Sequence, residues 1–234
     1  MTAQELQSSL REIADAAVAE HSQSFFKTGK GEYGEGDRFL GIRVPELRKH
    51  AGRCSDLELR EIATLLESEF HEERLLALFI LVKKFARAGS RDRKNIYNFY
   101  LRHKKRVNNW DLVDSSAHQI VGAYLAGKDR KPLYKLAHSK NIWERRIAII
   151  ATYHFIKRDD FDDALAISTI LLNDDEDLIH KAVGWMLREI GKKQREVENE
   201  FLQQHYATMP RTMLRYAIEK HPENERQAYL KGIL

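Results

Sequence analysis

Trp110 and Asp114 stand four residues apart in the stretch from Val107 to Leu125, VNNWDLVDSSAHQIVGAYL. On a helix they share a face, with Cβ atoms roughly 5–6 Å apart. An aromatic ring beside a carboxylate can hold a cation on its π-face and stabilise positive charge developing nearby. The pair therefore suits a reaction whose transition state is cationic. Each residue also has a plainer use. A lone Trp110 would be core packing, and a lone Asp114 would be a salt bridge or hydrogen bond to a neighbouring segment.

Other candidates are weaker one by one. Arg146, in WERRIAII, could tie neighbouring segments together or bind phosphate, because a guanidinium serves carboxylate and phosphate alike. Trp185 and Arg188 are three apart and can share a helix face; Gly184 beside them leaves room for a flat partner. Ser115 and His118 lie near Asp114, but neighbours on one helix do not give a hydrolytic triad its nucleophile, base and oxyanion hole. His71 with Glu72 is no zinc motif, since the second histidine of H-E-x-x-H would fall on Leu75. The loop KTGKGEYGEGD, residues 27–37, lacks the G-x-x-x-x-G-K-[ST] order. It reads as a flexible loop approaching nucleic acid through backbone N–H groups and Lys27 or Lys30.

The elements that must position these residues are helices. No stretch alternates as a strand does. Gln4 to Glu20 reads as one amphipathic helix rather than a secretory signal. In FLGIRVPELRKHAG, residues 39–52, Pro45 suits a first helical turn and Gly52 a stop. Val107 to Leu125 reads as a single helix, with Asn108 or Asn109 as N-cap and Asp111 favourable to the helix dipole. Beyond residue 57 the chain falls into helix pairs. Their second members resemble one another: ERLLALFILVKKF, NNWDLVDSSAHQI, IWERRIAIIATYHF, LIHKAVGWMLREI and PRTMLRYAIEK. Their starts recur about every 30–38 residues, the spacing of a repeat array. The expected fold is all-α, a right-handed superhelical solenoid of HEAT-like hairpin repeats forming one domain over residues 1–234.

Composition agrees. The 234 residues are 32% charged and 43% hydrophobic, the balance of many amphipathic helices. One cysteine, Cys54, excludes an intrachain disulfide and a multi-thiolate metal site, and points to a reducing cytoplasm. No apolar run is long enough to span a membrane. The formal net charge of +4 decides little, but its distribution decides more: Lys83 to Arg106 holds ten Lys/Arg against Asp92 alone. Further basic sets follow at Lys128–Lys135 and Lys140–Arg146. Successive basic segments in a repeat array point to nucleic acid, with Lys104, Lys105 and Arg106 just before the Trp110 stretch.

Four segments in order, FLGIRVPELR (39–48), NNWDLVDS (108–115), IWERRIA (142–148) and KAVGWMLRE (181–189), make nearly the whole chain resemble the AlkD-type family of DNA alkylation repair glycosylases, built of HEAT-like repeats. The resemblance implies that Asp114 is the catalytic carboxylate, that Trp110 and Trp185 flank the lesion, and that Arg146 contacts DNA. Arg188, Lys27, Lys30, Lys104, Lys105 and Arg106 complete the expected DNA-binding set. The implied activity is hydrolysis of the N-glycosidic bond of positively charged N7- and N3-alkylpurines in double-stranded DNA. It calls for no metal, nucleotide or redox cofactor, no membrane, and a monomer. The glycine-rich loop departs from the family pattern. Two other functions fit the residues: a non-catalytic protein binding damaged or branched DNA, and a helical-repeat scaffold for proteins.

Overall fold

The computed structural model describes residues 1–233. Among them the only β pairing is an isolated bridge between Arg38 and Phe70; the rest is helix and turn. No helix among them is long and apolar enough to cross a membrane. The chain forms two compact units, Met1–Ile120 and Val121–Leu234.

The first unit opens with α1 (Ala3–Glu12), held by a capping box between Thr2 and Glu5. The single helix expected over Gln4–Glu20 is two. Asp15 stops the first and starts α2 (Ala16–Phe25): its Oδ1 accepts from the N–H of Ala17 at 2.9 Å and Val18 at 3.1 Å. An aspartate that caps free N–H groups outcompetes continued helix. Its own N–H donates to the Leu40 carbonyl at 3.0 Å, which brings the FLGIR turn against this break. Gly41 makes that approach possible. It has φ +81°, and a Cβ there would stand 2.7 Å from the Ala19 nitrogen.

α3 (Val44–Arg53) carries Pro45 in its first turn as expected. Gly52 lies inside it, not beyond its end; Cys54 is the C-cap. α4 (Leu59–Leu66), α5 (His71–Arg87) and α6 (Ser90–Arg102) follow, then a 3-10 turn over Lys104–Arg106 and α7 (Trp110–Asp114). α5 packs on α3 and α4 and touches α6 and α7. Leu75 to Leu78, Ile80 and Leu81 are essentially inaccessible, so the middle of this helix is apolar on every side and forms the unit's centre.

The second unit contains α8 (Ala123–Leu125), α9 (Lys131–Ala137), α10 (Ile142–Ala151), α11 (Tyr153–Ile156), α12 (Asp162–Ile170), α13 (Asp177–Gly191), α14 (Arg195–His205), α15 (Arg211–Ala217) and α16 (Glu223–Lys231). Here α9 packs on α10, α12 and α14 both pack on α13, and α10, α13 and α15 lie side by side. That is the row a stack of helical hairpins requires. Gly184 serves this row. A Cβ there would meet the Met213 carbonyl and come within 2.6 Å of the Tyr216 Cβ, so the glycine admits α15 and leaves no room for a flat partner.

Candidate active site and its buried anchor

The stretch expected as one helix from Trp110 to Leu125 is interrupted. α7 ends at Asp114, and a π turn occupies His118–Gly122 before α8. The Ser116 hydroxyl is the local cause. It donates to the Leu112 carbonyl at 2.6 Å and pairs with the Tyr100 hydroxyl at 3.0 Å, and such back-bonding competes with regular helix. Thr152 does the same between α10 and α11, its hydroxyl 2.6 Å from the Ile149 carbonyl. The Ser115 hydroxyl also turns back, to the Leu112 carbonyl at 3.4 Å.

Of the two asparagines, Asn109 is the N-cap. It is fully buried, and its Oδ1 accepts from the Trp110 N–H at 2.8 Å. Trp110 and Asp114 are both half-buried, so neither is sealed in the core. The Trp110 ring stacks on Phe26, with centroids 5.3 Å apart and planes at 16°, and meets exposed Phe25 edge-on at 6.1 Å. Burial, chiefly, pushes the Tyr100 phenol pKa up; the Ser116 hydrogen bond works against this and the nearby Asp114 charge adds to it. The Asp114 carboxylate therefore lies close enough to the fully buried phenol for its charge to be felt there.

Beneath α7 lies a buried charged cluster. His71 and Arg74 start α5, and both are almost inaccessible. The His71 ring places Nδ1 3.1 Å from Asp37 Oδ2 and Nε2 2.8 Å from Asp111 Oδ2. Asp37 also accepts from Arg74 Nη2 at 2.6 Å and from the Asn109 side-chain amide at 3.3 Å. Burial by itself lowers the His71 pKa. The Asp111 carboxylate, by charge and hydrogen bond, and Asp37 outweigh it and raise the pKa to about 9, with Arg74 opposing. Burial likewise pushes Asp37 upward, but its hydrogen bond to His71 and the Arg74 charge hold it below the usual carboxylate range. Both ring nitrogens thus donate to carboxylates, as an imidazolium does. Among the described residues no group of His, Cys, Asp and Glu forms a metal-holding set. The next two residues of α5 are committed elsewhere. Glu72 accepts from the N–H groups of Leu40, Gly41 and Ile42 at 2.8–3.2 Å, and Glu73 from Gln7 at 2.6 Å.

The expected DNA contacts are distributed unevenly. Lys27 and Lys30 are exposed, but the loop between them and Asp37 does not offer its amides outward. The N–H of Gly29 donates to Glu32 and that of Gly31 to Glu35, each at 2.9 Å, so the loop's own carboxylates take the place phosphate was expected to fill. Lys105 and Arg106 are exposed beside α7, and Arg106 pairs with Glu67 at 2.5 Å. In the second unit Arg146 is buried and donates to the Leu178 carbonyl at the start of α13. This contact ties the α10 helix to α13, the first of the two uses open to this arginine. Arg145 adds a bidentate pair with Asp174, at 2.6 and 3.1 Å. Trp185 is half-buried, its Nε1 donating to Glu189 at 3.0 Å and its ring 5.8 Å from Tyr153. Arg188 pairs with Glu219, in the 3-10 turn that follows α15.

Residues 6–221 match the family model described as DNA alkylation repair enzyme. The chain belongs to the DNA alkylation repair enzyme family. Its role lies in DNA alkylation repair, and it interacts with DNA. Its fold is shared with a solved structure described as a predicted DNA alkylation repair enzyme from Enterococcus faecalis: TM-score 0.69 and 17% identity over 90% of this chain and 97% of that one. No curated protein matches the chain.

For this alkylation repair protein, sequence reading singled out α7 but missed what holds it. His71 was set aside for want of a zinc motif, and Asp111 was assigned to the helix dipole alone. A signal existed. The four polar residues HEER open a helix that continues LLALFILV, apolar on all sides. Such a helix is buried, and charges on it need buried partners. Nothing local names those partners, because Asp37 and Asp111 come from segments more than thirty residues away on either side.

Proposed function

We propose that this protein is a monomeric DNA glycosylase releasing cationic N7- and N3-alkylpurines. The observation that carries the reading is the presence of Trp110 and Asp114, both half-exposed, on one short helix whose cap and flanks are fixed. Alkylation at N7 or N3 makes the base cationic. As the C1′–N bond breaks, its electron pair neutralises the departing base, and the deoxyribose becomes an oxocarbenium-like cation. The Asp114 carboxylate stabilises that sugar and orients the water that attacks C1′; the proton released passes to the carboxylate or to solvent. A fixed charge of this kind contributes about 3–4 kcal/mol. The indole face of Trp110 favours a cationic base by about 0.5–2 kcal/mol. The leaving group supplies much of the driving force, so charged lesions are preferred over neutral ones.

The test is chromatographic detection of free 7-methylguanine from methylated duplex DNA. Asp114→Asn is expected to lower release by about 10²–10³-fold while duplex affinity stays within about twofold. Equal release by the variant and the native chain removes Asp114 from the chemistry. Tight, salt-sensitive binding with no base released by the native chain identifies a non-catalytic DNA-binding protein instead.

A further inference from the structure

α7 has five residues, too few to hold a helical shape by its own hydrogen bonds. Its direction must come from tertiary ties, and three successive residues at its start lead to one ring. The Asn109 amide donates to Asp37, which bonds His71 Nδ1. Asp111 accepts from His71 Nε2. Between them Trp110 heads a column of rings: Trp110 on Phe26 at 5.3 Å, Phe26 on Phe39 at 5.0 Å, Phe39 on His71 at 4.7 Å, each pair within 22° of parallel.

We propose that His71 is a positioning residue. Through Asp37, Asp111 and the ring column, its imidazolium clamps α7 and so sets the orientation of Trp110 and Asp114, an inference that rests on the reading of those two as the active pair. The charged groups facing the ring are Asp37 from the loop before the FLGIR turn, Asp111 from α7 and Arg74 from α5. Glu72, next to it on α5, is turned onto the amides of residues 40–42. Two carboxylates and two cations sum to zero. Loss of the imidazolium proton leaves one buried negative charge in excess, repels Asp111 from Asp37, and removes one of the two donors that hold them.

Two readouts test the clamp, one of them independent of catalysis. With Trp143→Phe and Trp185→Phe, Trp110 is the remaining tryptophan of three. Its emission is expected to step near pH 9, where the ring loses its proton, and the step is expected to vanish in His71→Gln. A flat titration from pH 6 to 10, or a step at an ordinary histidine value near 6.5, overturns the clamp whether or not the protein excises bases. The second readout is single-turnover release of 7-methylguanine. His71→Gln is expected to lose about tenfold or more in rate, with duplex affinity changed less than about twofold, and to lose the alkaline limb of the native pH profile. Asp111→Asn cuts one arm while keeping the histidine and the helix start. It is expected to show the same rate loss with a limb shifted to lower pH, which keeps the test available if His71→Gln folds poorly. Native rates and native pH profiles in both variants refute positioning by His71. Failure of the native chain to release base refutes the proposed function, and the fluorescence titration then decides the clamp alone.

Discussion

At the scale of single residues, the first unit is organised by buried charges whose partners are chosen one by one. Glu72 is the clearest. Its two oxygens accept from three consecutive backbone N–H groups, those of Leu40, Gly41 and Ile42, so a carboxylate on α5 replaces the hydrogen bonds a turn cannot make for itself. Glu72→Ala strands all three donors out of reach of water. The expected cost is about 3 kcal/mol or more, read as a lower urea midpoint at unchanged slope. The FLGIR motif was legible in sequence as a conspicuous segment, but its function was not. Its value lies in φ +81° at Gly41 and in a carboxylate 31 residues on, and neither is a property of the segment alone.

At the scale of elements, helix ends and breaks decide where the candidate groups point. The asparagine before Trp110 was readable as a cap, and Asn109 is one. Asn109→Ala removes both the cap and a tie to Asp37. It is expected to cost about 1–2 kcal/mol in a denaturation experiment, with a larger loss of base release than of stability. Breaks at Ser116 and Thr152 were not readable, because a serine or threonine inside an apolar pattern bends a helix only when its hydroxyl turns back onto the preceding turn. Packing between elements has the same character. Gly184→Ala forces α13 from α15 against the Met213 carbonyl and the Tyr216 side chain, with an expected destabilisation of about 1–3 kcal/mol by thermal or urea unfolding.

At the scale of the whole molecule, stability should be highest between about pH 4.5 and 6.5 and fall on either side, for reasons the buried groups supply. His71 has a folded pKa raised to about 9, above its unfolded value of 6.5, so its contribution is complete below 6.5 and is lost as pH rises through 9. Glu198, raised to about 8 by burial, also weakens the fold as pH climbs from 4.5 toward 8. His221, lowered to about 4 by burial and the Arg195 charge, acts on the other side: the unfolded chain gains its proton first, so stability falls as pH drops from 6.5 toward 4. Thermal unfolding across pH 4–10 should therefore trace a dome. The difference between native and His71→Gln curves, which cancels Glu198 and His221, should decline between pH 6.5 and 9.

From the sequence alone came the helical class, the hairpin repeat, the family and the pair Trp110 and Asp114. The helical class and the repeat are carried by periodicity, the pair by a spacing of four, and the family by the resemblance of four short segments; such information is local. The tertiary structure alone decided that Arg146 ties repeats, that Gly184 seats a helix, that the glycine-rich loop turns its amides onto its own glutamates, and that a histidine between two aspartates underlies α7. The histidine cluster and the Arg146 tie depend on which distant acceptor meets which cation once the core excludes water, the seat at Gly184 on which helix packs there, and the loop on how its backbone turns. Charge pairing across thirty or more residues leaves no period in the chain to be read.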